Sequence, residues 1–260
     1  MSKTASWREA NPVAADMRPM DARYGDVLRR HAGDEDIIHQ LNAFQRRMYA
    51  SKAFGHWEVF KMVANLPGHV VECGVYKGES LFNFARFLEI LCPGDRTKQV
   101  IGFDHFQGLT GRSQADETEK DGAVNRGNFD GGWESAGFRD TLLELIDLFN
   151  ADSFVPKKPR IVLEEGDIVE TAPAYVQRHP GLRISLLHLD CDIYEPTLAA
   201  LKAFYPHIVP GGIVLLDEYG ITEWPGESRA VEEYFGGKPP VIEKFPWLSA
   251  PGGWIRKPAG

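Results

Sequence analysis

The stretch RISLLHLDCDIYEPTLAALKAFYPHIVPGGIVLLDEYG, residues 183–220, decides the fold. It contains two short apolar runs, RISLLHLD at 183–190 and GGIVLLDEYG at 211–220, with the amphipathic segment YEPTLAALKAFYPHI between them. Two parallel strands need a long crossover connection, which is usually a helix. The stretch therefore predicts a β-α-β unit whose two strands both end in acidic residues.

The same alternation continues upstream. Apolar runs occur at 69–75 (HVVECGV), 99–104 (QVIGFD) and 160–167 (RIVLEEGD), and the segments SLFNFARFLEIL, FRDTLLELIDLFN and VETAPAYVQRH have helical patterns. Strands that alternate with helices form a mostly parallel sheet covered by helices on both faces. After residue 236, KPPVIEKFPW and GGWIRKP predict a final antiparallel hairpin at one edge. We therefore predict an α/β fold with five parallel strands.

Two regions lie outside this alternation. Residues 1–66 predict an N-terminal, peripheral helical extension, because apolar residues recur there at three- and four-residue spacing before Pro67-Gly68 stops the pattern. Residues 106–135 are rich in Gly, Asp and Glu and predict a lid loop on the substrate side, with Trp133 and Arg126 over the acceptor. A passive surface insertion is the alternative. We treat residues 1–260 as one domain.

Composition restricts the partners. The formal net charge of -8 argues against nucleic acid and anionic membranes, whose binding relies on clustered Lys and Arg. No apolar run approaches the roughly 20 residues that a membrane helix needs, so we expect a cytoplasmic protein. Three cysteines, Cys73, Cys92 and Cys191, have no paired spacing and are expected to be reduced and mostly buried.

Ligands of open parallel sheets bind beyond the carboxyl ends of the strands. At the end of the first strand Gly74 and Gly78 allow the backbone to approach a ligand closely, although their G-x-x-x-G spacing is not the dinucleotide fingerprint. Asp104 ends the second strand, where it could accept hydrogen bonds from ribose hydroxyls. Asp167 follows Gly166 after the third strand and could meet an adenine amino group.

Acidic residues close the last two parallel strands. Asp190 and Asp192 end the fourth strand, and Asp217 and Glu218 end the fifth. Carboxylates crowded in this way repel one another unless they are protonated or neutralised by a cation. An all-oxygen cluster suits Mg²⁺, Mn²⁺ or Ca²⁺ better than zinc. The alternative is that these acids are helix caps and solvated strand ends. His188, between apolar neighbours, is interpreted as a core histidine.

At these residues the chain resembles class I S-adenosylmethionine-dependent methyltransferases, and more narrowly the macrocin O-methyltransferase (TylF-like) family. The resemblance rests on VVECGVYKGES, IGFDHFQGLT, LHLDCDIYEPTLAALKAFYPHIVPGGIVLLDEYG and GESRAVEEYF. It implies a Rossmann-like fold, S-adenosylmethionine and Mg²⁺ (or Mn²⁺ or Ca²⁺) as cofactors, and a homodimer or higher homo-oligomer. The implied reaction is O-methylation of a sugar hydroxyl, on a nucleotide-sugar or a glycosylated secondary metabolite.

The resemblance also implies individual roles. The residues that would hold the methionine part of the cofactor are Glu72, Cys73, Gly74, Val75, Tyr76, Lys77, Gly78 and Ser80. Asp104 would bind the ribose, and Asp167 with Ile168 would bind the adenine, while Gly166 and Asp190 complete the cofactor-binding set. The metal ligands would be Asp190, Asp217 and Glu218, and the general base would be Asp192.

The chain departs from the family pattern in two places. Glu218 stands where the family usually has a second Asp, and His105 and Thr110 replace the commoner Ser and Pro of the motif D-S-F-x-G-L-P. These departures leave the acceptor open. A catechol-like phenol is one alternative to a sugar, and a non-catalytic S-adenosylmethionine-binding module with purely structural acids is another.

Overall fold

The computed structural model describes residues 12–117 and 130–258. The five predicted parallel strands are β1 (His69–Cys73), β2 (Val100–Asp104), β3 (Ile161–Glu165), β4 (Ile184–Leu189) and β5 (Ile208–Leu216). Two further strands are β6 (Ile242–Glu243) and β7 (Gly253–Arg256), and the sheet order is β3-β2-β1-β4-β5-β7-β6. Strand β7 runs antiparallel to both β5 and β6. The predicted parallel sheet and its antiparallel edge hairpin are confirmed.

Seven α-helices accompany the sheet in the described ranges. They are α1 (Pro12–Arg30), α2 (Arg47–Val63), α3 (Glu79–Leu91), α4 (Arg139–Asp152), α5 (Ile168–Arg178), α6 (Tyr194–Phe204) and α7 (Pro225–Tyr234). Successive strand residues point to opposite faces of a sheet. Val70 and Leu186 therefore pack with α2, α3 and α4, whereas Val71 and Leu187 pack with α5 and α6. Helices cover both faces, as predicted.

Helix α2 is part of the core. The sequence predicted a peripheral extension, but Val59, Phe60 and Val63 of α2 are buried against the sheet. The preceding 3₁₀ helix, Ile37–Phe44, is separate because the backbone becomes extended at Gln45. The correction follows from the apolar stripe of α2, which covers sheet surface that would otherwise contact water.

The strand register sets the level of the site. Cys73 of β1 pairs with Leu189 of β4, and Leu189 pairs with Leu216 of β5. The residues that follow these strands therefore emerge side by side, and Asp217 N donates to Leu189 O at 3.1 Å. Because β1 lies between β2 and β4, the strand order reverses here. In open α/β sheets such a switch point is where ligands bind.

The predicted lid is described at both of its ends, 106–117 and 130–135, while Arg126 lies outside the described residues. The first of these ends is hydrogen-bonded to the start of α6. Asp116 is buried, and its Oδ1 accepts a hydrogen bond from Tyr194 N at 2.7 Å. Within the described ranges, none of the helices combines the length and the apolar character needed to cross a bilayer.

Candidate active site

A cavity of about 700 Å³ opens at the carboxyl ends of β1, β2, β4 and β5. Its volume lies in the range typical of small-molecule sites. The predicted site residues that line it are Gly74, Val75, Tyr76, Lys77, Gly78, Ser80, Asp104, Asp167, Ile168, Asp190, Asp192, Asp217 and Glu218. Three other predicted residues, Glu72, Cys73 and Gly166, are not among its lining. The fold therefore brings the glycine-rich loop and the acids to one space.

The loop after β1 is shaped by a glycine and by an acid. Gly74 has φ +91°, and a Cβ there would overlap the backbone carbonyl of Asp190. Asp104 Oδ2 accepts hydrogen bonds from Val75 N at 2.7 Å and from Tyr76 N at 2.8 Å. Asp104 thus holds the loop in place, and its role as the ribose ligand remains a prediction.

Glu72 and Cys73, at the end of β1, do not line the cavity. Both are fully buried, and Glu72 Oε1 accepts a hydrogen bond from Ser80 Oγ at the start of α3. The other carboxylate oxygen of Glu72 is buried with no hydrogen-bond partner in the described part of the chain. The hydrogen bond between Ser80 and Glu72 thus connects the start of α3 to the end of β1.

Asp167 has a structural role as well as a place in the cavity wall. Its Oδ1 accepts a hydrogen bond from Val169 N at 2.9 Å, so Asp167 is the N-cap of α5. This capping role of Asp167 was not predicted from the sequence, where helix caps were an alternative only for the acids that follow β4 and β5. Ile168 follows it on the wall, while Gly166, with φ +132°, provides the turn out of β3.

A lysine that the sequence analysis did not identify enters the acidic cluster. Lys52 Nζ of α2 lies 3.0 Å from Asp190 Oδ2 and 2.9 Å from Asp217 Oδ2. The exposed fractions of these side chains are 25%, 19% and 4%, respectively. An ammonium group therefore bridges the two carboxylates that close β4 and β5.

His188 contacts the same cluster from inside the sheet. It is completely buried, as expected for a core histidine, but it lies among three carboxylates. Its Nδ1 is 3.4 Å from Glu72 Oε1, and its Nε2 is 3.9 Å from both Asp190 Oδ2 and Asp217 Oδ1. The ring of His56 packs against it at 5.1 Å. Burial disfavours its charged form, but Asp217 and Glu72 outweigh this and raise the pKa of His188 to about 10.

The acids of the cluster differ in their tendency to ionise. Burial and the charge of Asp217 raise the pKa of Asp190 to about 6, against the opposing effect of Lys52. Burial also opposes ionisation of Asp217, but Lys52 and His188 outweigh it and hold the pKa of Asp217 well below its usual range. Asp217 is therefore the firmly charged partner of Lys52, and Asp190 is the more easily protonated one.

Asp192 combines an unusual backbone with an unusual charge environment. It has φ +65°, a region that Asp adopts more readily than most residues. Burial, and then the charges of Glu218, Asp190 and Asp217, raise the pKa of Asp192 well above its usual range. A carboxyl group with a raised pKa is a stronger base when it is ionised, which suits proton transfer.

The described residues include side chains that lie close enough together to share a metal ion. Two sets of three side chains there offer ligand atoms that lie within 4.8 Å of one another: His56, His188 and Asp217, and Glu72, His188 and Asp190. The trio Asp190, Asp217 and Glu218 does not form such a set in the described ranges. Asp190 and Asp217 nevertheless hold a cation, the ammonium of Lys52, so this pair of oxygens suits positive charge.

One local signal could have identified Lys52. Helix α2 buries His56, Val59, Phe60 and Val63, and Lys52 lies one helical turn before His56 on the same face. A lysine in line with a buried stripe indicates a buried partner for its charge, because an unpaired ammonium is costly to bury. The partner itself could not be identified, because the acids lie 138 and 165 residues away.

The second described end of the predicted lid contacts the loop after β1. The rings of Trp133 and Tyr76 lie 5.7 Å apart in an edge-on arrangement, and both residues line the cavity. Leu109 and Thr110, at the first end of the predicted lid, also line the cavity. The described ends of the predicted lid therefore border the cavity, while closure over an acceptor remains a prediction.

Sequence comparison gives a consistent family. The profile of the family described as Macrocin-O-methyltransferase (TylF) matches residues 57–238, which is more than half of the chain. A mycinamicin III 3''-O-methyltransferase of Micromonospora griseorubida is 28% identical over 169 residues, 65% of this chain and 61% of the relative. A 4'-O-methyltransferase of 8-demethyl-8-(2,3-dimethoxy-alpha-L-rhamnosyl)-tetracenomycin-C from Streptomyces olivaceus is 28% identical over 178 residues, 68% of this chain and 63% of the relative. The matches thus span less than two thirds of these relatives.

Structural comparison extends over nearly the whole chain. A crystal structure of a calicheamicin methyltransferase superposes with a TM-score of 0.81 at 28% identity and covers 92% of this chain and 93% of the other. A second structure, described as the apo form of a TDP-rhamnose 3'-O-methyltransferase of calicheamicin biosynthesis, gives a TM-score of 0.76 and covers 94% of each chain. The predicted class I methyltransferase fold is confirmed.

Proposed function

This chain belongs to the macrocin O-methyltransferase (TylF) family, and we propose that it transfers the methyl group of S-adenosylmethionine to a hydroxyl of a sugar-containing small molecule. One observation carries the proposal: the glycine-rich loop after β1 and the acids after β4 and β5 line the same cavity. Methyl transfer needs the methyl donor and an activated oxygen in direct line. A shared cavity meets that need without a movement of the sheet.

The β1 side of the cavity is proposed to bind the cofactor. S-adenosylmethionine supplies an electrophilic methyl group on a sulfonium. The loop from Gly74 to Gly78 presents backbone at the cavity wall, as expected for the methionine part. Asp104 lines the same cavity and would bind the ribose. Asp167 and Ile168 also line it and would bind the adenine. These assignments rest on the family resemblance and on the position of each residue in the wall.

The β4 and β5 side is proposed to activate the acceptor. Asp190, Asp217 and Glu218 would hold Mg²⁺, or Mn²⁺ or Ca²⁺, which would lower the pKa of an acceptor hydroxyl and orient it. Asp192, at the wall of the same cavity, would accept the proton of that hydroxyl as the new O–CH₃ bond forms. Lys52 hydrogen-bonds to both Asp190 and Asp217, so the structure already places one positive charge between these two acids.

The proposed acceptor class comes from the relatives. Two of them are described as methylating mycinamicin III at 3'' and a rhamnosyl tetracenomycin at 4', and a similar structure as a TDP-rhamnose 3'-O-methyltransferase. We propose a deoxysugar, carried either by a nucleotide or by a natural product, as the acceptor of this chain. Leu109, Thr110 and Trp133 at the lid ends are the candidates to contact it.

A homo-oligomer, most simply a homodimer, is part of the proposal. The segment around the start of α2 exposes large apolar side chains, Ile38, Leu41, Met48 and Phe54. Apolar side chains grouped on a surface often mark contacts between subunits. A second copy of this chain is the proposed occupant, and light scattering of the wild type and of Phe54→Ser would test it.

The proposal is tested by calorimetry and by an acceptor panel. S-adenosylmethionine is titrated into the protein without added metal, and Mg²⁺ is then titrated into the cofactor complex. Wild type, Asp217→Ala and the exposed control Asp147→Ala are compared. We expect cofactor binding in all three proteins and loss of Mg²⁺ binding in Asp217→Ala alone. Release of S-adenosylhomocysteine with nucleotide-deoxysugars, glycosylated natural products and catechols then identifies the acceptor class. Failure to bind the cofactor would overturn the proposal.

A further inference from the structure

Lys52 occupies one oxygen of each of two carboxylates that would hold the proposed metal. Its ammonium hydrogen-bonds to Asp190 Oδ2 at 3.0 Å and to Asp217 Oδ2 at 2.9 Å. Both residues belong to the proposed metal set, so the inference that follows rests on the proposed function. Lys52 itself lies before residues 57–238, the part of the chain that the family profile matches.

An ammonium and a divalent cation held by the same two carboxylates would lie close together. Two like charges at such a short distance repel, so the presence of one would disfavour the other. Lys52 lies on the cavity wall with a quarter of its side chain exposed, so its flexible stem has space to withdraw. A cation that displaces the ammonium of Lys52 must break two charge-assisted hydrogen bonds, which are stronger than neutral ones.

The two halves of helix α2 are attached to the rest of the fold in different ways. Its second half is held by Gly55, His56, Val59, Phe60 and Val63, all buried, whereas no residue from 47 to 54 is buried. The pairs of Lys52 with the acids thus connect the first two turns to the carboxyl ends of β4 and β5. Those turns also contact the N-terminal segment, because Tyr49 OH donates to Asp21 Oδ2 of α1 at 3.4 Å, and Arg46 Nη1, just before α2, donates to Asp21 Oδ1 at 2.8 Å.

We propose that Lys52 is a built-in counter-ion that competes with the divalent cation for Asp190 and Asp217, so that metal binding releases the first two turns of α2 from the sheet. The two cations neutralise the same acidic pair in turn. The proposed metal site and the start of α2 are thereby coupled through one side chain.

The first test measures metal affinity directly. Mn²⁺ is titrated into the cofactor complex and followed by electron paramagnetic resonance, for wild type, Lys52→Met, Lys52→Arg and Lys61→Met. Lys61 is the matched control, since it lies on the same helix in an exposed pair with Glu58. We expect Lys52→Met to bind Mn²⁺ about 10- to 100-fold more tightly than wild type, because two hydrogen bonds to charged groups no longer compete. Lys61→Met should match wild type, and Lys52→Arg should retain the competition.

The second test needs no variant. Hydrogen exchange of the wild-type cofactor complex is compared with and without Mn²⁺. We expect faster exchange in peptides over residues 47–54 when Mn²⁺ is bound and unchanged exchange over 57–63. Equal Mn²⁺ affinity of wild type and Lys52→Met, or slower exchange over 47–54, would overturn the competition while leaving the metal proposal intact. If S-adenosylhomocysteine binds but no variant binds Mn²⁺, the competition and the metal role fall together, and the cofactor site stands.

Discussion

The carboxylate of Asp104 accepts the backbone N–H of Tyr76 at 2.8 Å, so the acid at the end of β2 fixes the loop that follows β1. The same carboxylate also accepts Val75 N and, through its other oxygen, Phe106 N at 2.6 Å. One side chain thus organises both the loop after β1 and the start of the predicted lid. Any ligand of Asp104 meets a site that is already shaped by it.

Replacing Asp104 by Asn should weaken cofactor binding. The amide has one acceptor oxygen where the carboxylate has two, so it cannot serve all three backbone donors. We expect the dissociation constant of S-adenosylhomocysteine to rise about 10- to 100-fold, since hydrogen bonds to charged groups contribute about 1.5–3 kcal/mol each. Calorimetric titration measures it. Asp152→Asn, on the exposed end of α4, is the control and should leave the affinity unchanged.

Replacing Asp192 by Asn should abolish most turnover without loss of the cofactor. Asn has nearly the same shape and tolerates positive φ, so the backbone conformation is retained. It cannot accept the acceptor proton, and we expect kcat to fall about 10²- to 10⁴-fold. S-adenosylhomocysteine release measures the rate, and its binding affinity should stay within a factor of about two. Near-normal turnover would remove Asp192 from the proton transfer.

Replacing Gly74 by Ala should affect both stability and cofactor binding. The new Cβ would overlap the carbonyl of Asp190, and the residue would have to keep φ +91°. Backbone strain of this kind costs on the order of 1–3 kcal/mol. We expect the free energy of unfolding to fall by this amount, which urea unfolding would measure. Gly94→Ala is the control, because nothing lies within 4 Å of a Cβ at that position. Equal stability of the two variants would contradict the prediction.

Replacing Glu89 by Gln should destabilise the fold through Arg160. Arg160 is 1% exposed, and its Nε donates to Glu89 Oε1. Without that charge the buried guanidinium lacks its counter-ion, and we expect the free energy of unfolding to fall by about 3 kcal/mol or more. Glu58→Gln, in an exposed pair with Lys61, should cost under about 1 kcal/mol.

The same pair predicts a dependence on pH. Burial opposes ionisation of Glu89, but its hydrogen bonds with Arg160, Phe154 N and Arg96 outweigh this and lower the pKa of Glu89. A depressed folded-state pKa gives stability that is present above the unfolded-state pKa and is lost as pH falls through the folded one. Wild type should therefore lose stability in acid more steeply than Glu89→Gln, as urea unfolding at several pH values would show. Parallel pH profiles would contradict this.

The sequence predicted the sheet and the acid-bearing strand ends well, for a local reason. The β4-α6-β5 stretch alternates apolar runs and helix within 38 residues, and parallel pairing then places Leu189 beside Leu216. Once that register is fixed, Asp190 and Asp217 emerge together. Periodicity and chain direction are sufficient for this inference, because both are properties of short segments.

The sequence could not predict the contacts that determine what each acid does. Asp104 and Asp167 are acids at strand ends in the pattern, yet one fixes a neighbouring loop and the other caps a helix. The partner of Lys52 lies 165 residues away, and His188 owes its raised pKa to acids on other strands. Such pairings depend on how separate elements pack, and no local pattern encodes them.

The close approach of Gly74 to the carbonyl of Asp190 has a consequence for the divergence of these enzymes. The backbone that would hold the methyl donor and the backbone that bears the first acid are in contact, so a mutation that shifts one shifts the other. Changes of substrate preference are therefore expected to accumulate in the outer walls of the cavity, in the lid and in the N-terminal helices. Comparison of related sequences should therefore find many substitutions in those regions and few at the contact between Gly74, after β1, and Asp190, after β4.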